Sequence, residues 1–406
     1  MILISAVQEK IAWKEVAPSI LLVLNSFVWY IITYVAFCTT VNGLELLETE
    51  KLNLFATYFF GVAASAMFGS KFFPRARIKS LCLWLFMGAV ATLLLITVSG
   101  NDMWANVLFA LFLGVSIGIG LPSCLSYFAD STCIENRGFI GGITWSGVGF
   151  AVLFFTFLMN VLGLWAAIIF LTLWRLFGGF SFLFLTKRNK IFDVQKSTSY
   201  LELVCKRDIL LYLFPWAMFS IINFAEVPLL ERVFGAESFT FVGLVEFIFI
   251  GIFAIVGGIL ADVVGRKRVV ITGFVMVGIE YAVLSVFSVS PTTLYVFMTL
   301  DGITWGLFFS VFFMSIWGDL GEGYEKEKHY ALGGLPFLLA NFVSILISPY
   351  VSVISPTAAF SFASFFLFLA VIPLMYAPET LPEKHVRERE LRSYIEKAKK
   401  IKEKFT

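Results

Sequence analysis

The chain has 406 residues, of which 59% are apolar and only 14% charged, and 47 of them are Phe. A soluble core does not need that much apolar side chain, so composition excludes an ordinary soluble domain and points to a membrane protein. The net charge of +2 says little about partners, because in such a chain the sign is distributed by side of the membrane; no nucleic-acid partner is expected.

Runs of about 20 apolar residues, the length that crosses a bilayer, recur at 16–38, 53–72, 81–99, 103–128, 139–161, 164–185, 209–229, 238–260, 269–289, 292–318, 333–353 and 356–377. These predict twelve transmembrane helices, numbered here as spans. The residues before span 1 lack a small-residue cleavage site and are expected to be retained rather than removed as a signal peptide. On span 1, Asn25, Tyr30, Thr33 and Tyr34 form a polar edge, with Tyr30 and Tyr34 one turn apart. That edge suits either hydrogen bonding to a solute or aromatic packing between helices. Span 2 is followed by GSKFFPRARIK at 69–79. In span 4, Gly114, Gly118 and Pro122, with Ser116, Ser123 and Ser126, suggest close packing and a local bend. Arg175 lies eleven residues into span 6, about 16 Å from either surface and too deep to snorkel. It is expected to turn away from lipid and to be neutralised by an acid of the protein, with a backbone carbonyl, Thr172 or Asp130 as the acceptors within reach of the first half.

A charged stretch from Thr186 to Asp208 connects the two sets of six spans. Beyond it, Asn223 and Glu226 sit on span 7, Glu246 on span 8, Glu280 on span 9 and Asp301 on span 10. Ionisable groups in the bilayer cost at least a few kcal/mol on insertion scales, so each calls for a role. Asp301 is nine residues into its span, about 14 Å deep, with Thr304 and Trp305 one turn on, where they offer a hydroxyl and an aromatic wall. Arg175 and Glu280 are expected to be inward-facing structural or coupling charges. Glu226, closer to a membrane surface, is either a gate residue or a ligand contact. The acids from Glu322 to Glu327 read as a solvated loop. The tail from Glu383 to Phe405 reads as a charged helix with a narrow apolar stripe, Leu391, Ile395, Ala398 and Ile401, lying on the membrane surface.

Between spans 8 and 9 stands GILADVVGRKR at 258–268. Gly258 and Gly265 are expected to permit a tight turn, the basic residues Arg266 and Lys267 to stay in water, and Asp262 to bond the positive end of a neighbouring helix. This pattern resembles the cytoplasmic loop signature of the major facilitator superfamily of membrane transporters. The stretch from Asp130 to Arg137, Gly138 and Gly141 is similar to that family's acid-to-Arg-Gly pattern before helix 5, and PETLPE from Pro378 resembles its Pro-Glu-Thr ending. Gly69 precedes Gly258 by 189 positions, and Asp130 precedes Asp319 by the same 189, which argues for a six-plus-six duplication. The first copy is worn: Phe73 replaces the acid and Ala76 the second glycine. Two departures count against drug efflux by the standard antiport scheme: Ala110 stands where proton-coupled members carry an arginine, and Gly147 and Gly149 are followed by Phe150 rather than by proline.

The resemblance implies an all-α membrane protein of two pseudo-symmetric six-helix bundles, residues 1–185 and 209–378, joined by a cytoplasmic loop at 186–208 and followed by a cytoplasmic tail at 379–406. It implies a central cavity lined by helices 1, 4, 7 and 10 and opened to each side in turn. With the N-terminus inside, 27 of the 30 basic residues fall on the inner side, only Lys51 and Arg232 outside and Arg175 in the bilayer, so both termini are expected to be cytoplasmic, in the plasma membrane. The residues expected to bind solute or couple ions are Asp301, Glu226, Asn223, Glu246, Trp305, Thr304, Tyr30, Tyr34, Asn25 and Arg175. The expected cytoplasmic gate comprises Gly258, Asp262, Gly265, Arg266, Lys267 and Arg137. Four intramembrane acids against one arginine favour a cation or a bound proton over an anion.

The expected function is secondary transport of a small organic solute, coupled to protons, by a monomer. The alternatives are an uncoupled facilitator or an exporter of lipophilic cations, and a membrane sensor that no longer transports. No enzyme activity is expected, since no GxxxxGK[ST] loop is present. No cofactor or metal is expected either: the five cysteines form no CxxC pair and read as small core residues, and both histidines fall in charged segments.

Overall fold

A computed structural model describes residues 11–98, 102–184, 198–287, 290–321 and 325–382. The expected tail helix and most of the expected connecting segment lie outside the described residues. Every regular element within them is helical. Among the described residues ten helical stretches are long and apolar enough to cross a bilayer, and two of these, Glu48–Thr97 and Ile134–Phe182, run for 50 and 49 residues, about twice the length that one crossing needs.

The first of these two is broken chemically by Pro74, which starts a 3-10 turn at Phe73–Ala76 between α2 (Glu48–Phe72) and α3 (Arg77–Leu94). The second contains α6 (Arg137–Phe177), interrupted at Gly163, whose φ of 80° is open to glycine and strained for other residues. Before α2 stands α1 (Trp13–Asn42). The bend expected from glycine and proline divides α4 (Met103–Gly118) from α5 (Leu121–Ser131), with Pro122 in the first turn of the new helix. The second half comprises α7 (Arg207–Phe234), α8 (Ala236–Val264), α9 (Arg266–Val286), α10 (Pro291–Phe308), α11 (Glu325–Ile347) and α12 (Pro356–Leu369). Several helices overrun the apolar runs by a turn or more because a helix need not stop where its side chains become polar. The case with most consequence is α11, which starts at Glu325 rather than near 333.

Packing repeats along the chain. Helix α2 lies along α4 as α8 lies along α10, and the halves of the chain meet where α6 packs on α8 and α2 on α11. Past Phe308, α10 widens into a π-helical stretch, Phe309–Ile316, in which the Ser315 hydroxyl donates to the Ser310 carbonyl. The widened turns present Phe309 and Phe313 to the first half: Phe309 stacks on Trp145 at 3.8 Å between centroids with planes 1° apart, and Phe313 meets Phe27 edge-on at 5.4 Å.

Candidate functional site

Four helices of the second half bring their polar residues to one place. The carboxyl groups of Asp301 on α10 and Glu246 on α8 meet and act on each other electrostatically. The Asn223 side-chain amide on α7 donates to Asp301 Oδ1 at 3.2 Å and lies 3.4 Å from the Tyr281 hydroxyl on α9. Glu226, Glu246, Glu280 and Asp301 all act electrostatically on Tyr281, which is fully buried. Gly302 permits this convergence: a Cβ there would sit 2.6 Å from Cβ of Phe249, so α8 and α10 approach closely beside the carboxyl pair.

The chemistry of the cluster follows from its missing charges. No arginine, lysine or histidine among the described residues forms an ion pair with any of the four acids. Two carboxylates own no donor and repel each other, so the meeting of Glu246 with Asp301 favours a proton on one of them. Both oxygens of Glu280, Oε2 of Glu226 and the hydroxyl of Thr304 are buried with no hydrogen-bond partner among the described residues. Sequence reasoning placed Glu280 on a peripheral helix and did not single out Tyr281. The structure gathers both, and the available signal was the adjacent pair Glu280–Tyr281 inside an apolar run.

Trp305 forms a wall beside this cluster, with Phe219 and Phe309 each at 4.8 Å and Phe337 at 5.7 Å between centroids. Tyr30 of α1 reaches the same wall through Phe337 at 6.3 Å. Tyr34 does not: it stacks on Tyr58 at 5.7 Å, in the first half.

Asn25 and Arg175 form a separate unit, and here two expectations are corrected. Asn25 is bound to α6 rather than offered to a solute: its Nδ2 donates to the Trp174 carbonyl and its Oδ1 accepts from Arg175 Nη1 at 3.2 Å. Arg175 is buried, as expected, but its partner is not an acid. Its guanidinium lies in the corner formed by the rings of Trp29 and Trp84, which stand at 89° to each other, at 4.0 and 4.2 Å from them, and Nη1 also donates to the Ser26 hydroxyl at 3.0 Å. The two electron-rich faces take the place of a counterion. Thr172 bonds its own helix at Ile168, and Asp130 is engaged elsewhere. Room for the guanidinium comes from Gly88, where a Cβ would fall 2.7 Å from Arg175 Nε.

At the signature end, the Asp262 carboxylate accepts hydrogen bonds from the backbone amides of Gly138 at 3.0 Å and Phe139 at 2.7 Å, across the first turn of α6. Unpaired amides and the helix dipole make that turn a natural anion partner. Arg266 lies 3.6 Å from Asp262 and 2.9 Å from Asp319, and Arg137 of the first half donates to Asp319 as well. Gly258 is corrected from turn to contact residue: it lies inside α8, where a Cβ would fall 2.1 Å from the Gly138 carbonyl. The turn belongs to Gly265 alone, with φ of 111°. Arg266 is also corrected, being fully buried in ion pairs rather than held in water, because the acids around it replace hydration.

The Pro-Glu-Thr ending, to which the sequence assigned no role, closes the same cluster. The Pro378 carbonyl accepts from Tyr212, Glu379 caps the amides of Arg266 at 2.9 Å and Lys267 at 3.2 Å, and Thr380 bonds Asp319. The first half carries a second latch. Asp130 accepts from Arg77 and Lys326, each at 2.7 Å, and Arg77 Nε donates to Glu327 at 2.8 Å. Glu327 is therefore no part of a solvated loop. It is fully buried against Arg77 and Ser123 in the first turn of α11, while residues 322–324 lie outside the described ones.

Apolar helices of spanning length define a polytopic membrane protein, with buried carboxyls inside it and ion pairs at one end of the bundle. Residues 209–404, just under half of the chain, match the family model for the Major Facilitator Superfamily. Comparison with curated proteins gives no match.

Proposed function

We propose that the protein is a secondary active transporter that moves a small organic solute by alternating access and couples the movement to protons through Glu246 and Asp301. The observation that carries this reading is the meeting of the Glu246 carboxyl with the buried Asp301 carboxyl, with no cationic partner among the described residues: two such groups side by side share a proton rather than both ionise, and rearranging their surroundings changes what holding that proton costs. In this reading the two double-length stretches each cross the membrane twice, giving twelve helices in two bundles. The latched end is cytoplasmic, as are both termini, in the plasma membrane, and the working unit is a monomer. The absence of basic side chains paired with the acids among the described residues also favours a cationic solute, for which Trp305 and Phe224 supply aromatic faces. Uptake of a broad solute panel into proteoliposomes, with and without a pH gradient, tests the reading. Gradient-driven accumulation that Asp301→Asn abolishes supports it, and equal accumulation without a gradient contradicts the coupling.

A further inference from the structure

The two latches follow one plan with one part moved. Arg77, Asp130 and Arg137 stand 189 positions before Arg266, Asp319 and Lys326. Each latch joins an acid near the end of its α4–α5 or α10 segment to an arginine of its own half and a base of the other: Asp130 to Arg77 and Lys326, Asp319 to Arg266 and Arg137. In the second latch, Asp262 adds a second acid, so two acids meet two bases. Its counterpart in the first latch is Phe73, which accepts nothing. Left there, Asp130 alone would face two bases, with Arg77 only 13% exposed, and one positive charge would be uncompensated near the protein interior.

We propose that Glu327 is the positioning residue that replaces the lost loop acid. It occupies the position 189 residues after Gly138, whose amide Asp262 caps. The acid has thus moved from the loop to the helix end that the loop acid would have capped. Fully buried, its carboxylate binds Arg77 Nε at 2.8 Å and the Ser123 hydroxyl, both in the first half. The charge count of the latch is restored at two and two, and the tie between halves becomes a side-chain ion pair in place of a carboxylate on backbone amides. The proposal rests on the rocking of halves in the transport reading, but its test needs no solute, so each fails separately.

The test uses the full chain in lipid nanodiscs, freed of native cysteines, with the buried Ala129→Cys beside Gly318 as reporter. Loss of one charge-assisted hydrogen bond, about 1.5–3 kcal/mol, corresponds to about a 10- to 100-fold rise in alkylation rate for Glu327→Gln, at about 1.4 kcal/mol per tenfold. Adding Phe73→Asp, which returns the acid to its loop position, should bring the rate back towards the parent value, which a merely structural glutamate would not permit. If Glu327→Gln does not accumulate as folded protein, Phe73→Asp must restore it. An unchanged rate in Glu327→Gln, or no rescue by Phe73→Asp in rate or in folded yield, overturns the proposal.

Discussion

Replacing Asp262 by Asn removes the charge and one of the two acceptor oxygens that hold the first turn of α6. The native carboxylate spans two backbone amides, at 3.0 and 2.7 Å, and lies 3.6 Å from Arg266. A hydrogen bond to a charged group contributes about 1.5–3 kcal/mol. Losing one, and leaving Arg137 and Arg266 to share Asp319, shifts the equilibrium between joined and parted halves by about 10- to 100-fold, at about 1.4 kcal/mol per tenfold. The shift is felt directly, because α8 and α6 touch through Gly258 and the Gly138 carbonyl beside the lost bond. Met314 is fully buried against Gly141 across the same junction, so the alkylation rate of Met314→Cys in a cysteine-free background reads the parting. The rate should rise by the factor above in Asp262→Asn. An unchanged rate would refute the reasoning, since it would mean that these two amide bonds do not hold the halves together.

Two substitutions test the local geometry. Gly88→Ala puts a methyl 2.7 Å from Arg175 Nε and 2.9 Å from Trp29 Cζ2, and overpacking of this kind costs about 1–3 kcal/mol; the unfolding temperature in detergent should fall, with the loss relieved by Arg175→Met, whereas an unchanged temperature argues against this packing of Arg175. Gly265→Ala forces a side chain onto a φ of 111° with ψ of 147° and within 2.5 Å of Glu379 Oε2, a backbone cost of about 1–3 kcal/mol besides the loosened cap on α9. Amide exchange at Arg266 and Lys267 should accelerate, and exchange at the parent rate would show that the cap does not depend on the turn.

Composition and the positions of the apolar runs made the helical membrane class legible, because burial in lipid demands apolar length and little else. Asp301, Glu246 and Asn223 were legible for the related reason that polar residues in such runs stand out. What was not legible was which of them meet. Asn25 and Tyr30 look alike in the sequence, yet one turns towards Arg175 and the other towards Phe337, since helix rotation is set by packing partners far along the chain. Arg175 invited an acid because charge was the visible property, whereas its partners Trp29 and Trp84 are two among ten tryptophans. Glu327 sat in an acidic run whose simplest reading is hydration. Only the register of α11 against Arg77 showed that it is buried, and the π-helical widening after Phe308 carries no signal in residue type at all.

The central claim, that Glu246 and Asp301 share a proton which the protein can bind and release, is tested most directly by pH-difference infrared spectroscopy of the full chain in lipid. The account predicts a buried carboxylic-acid band that titrates and that Glu246→Gln and Asp301→Asn each remove, because either variant leaves one carboxyl without the other. A band left intact by both substitutions would contradict the account.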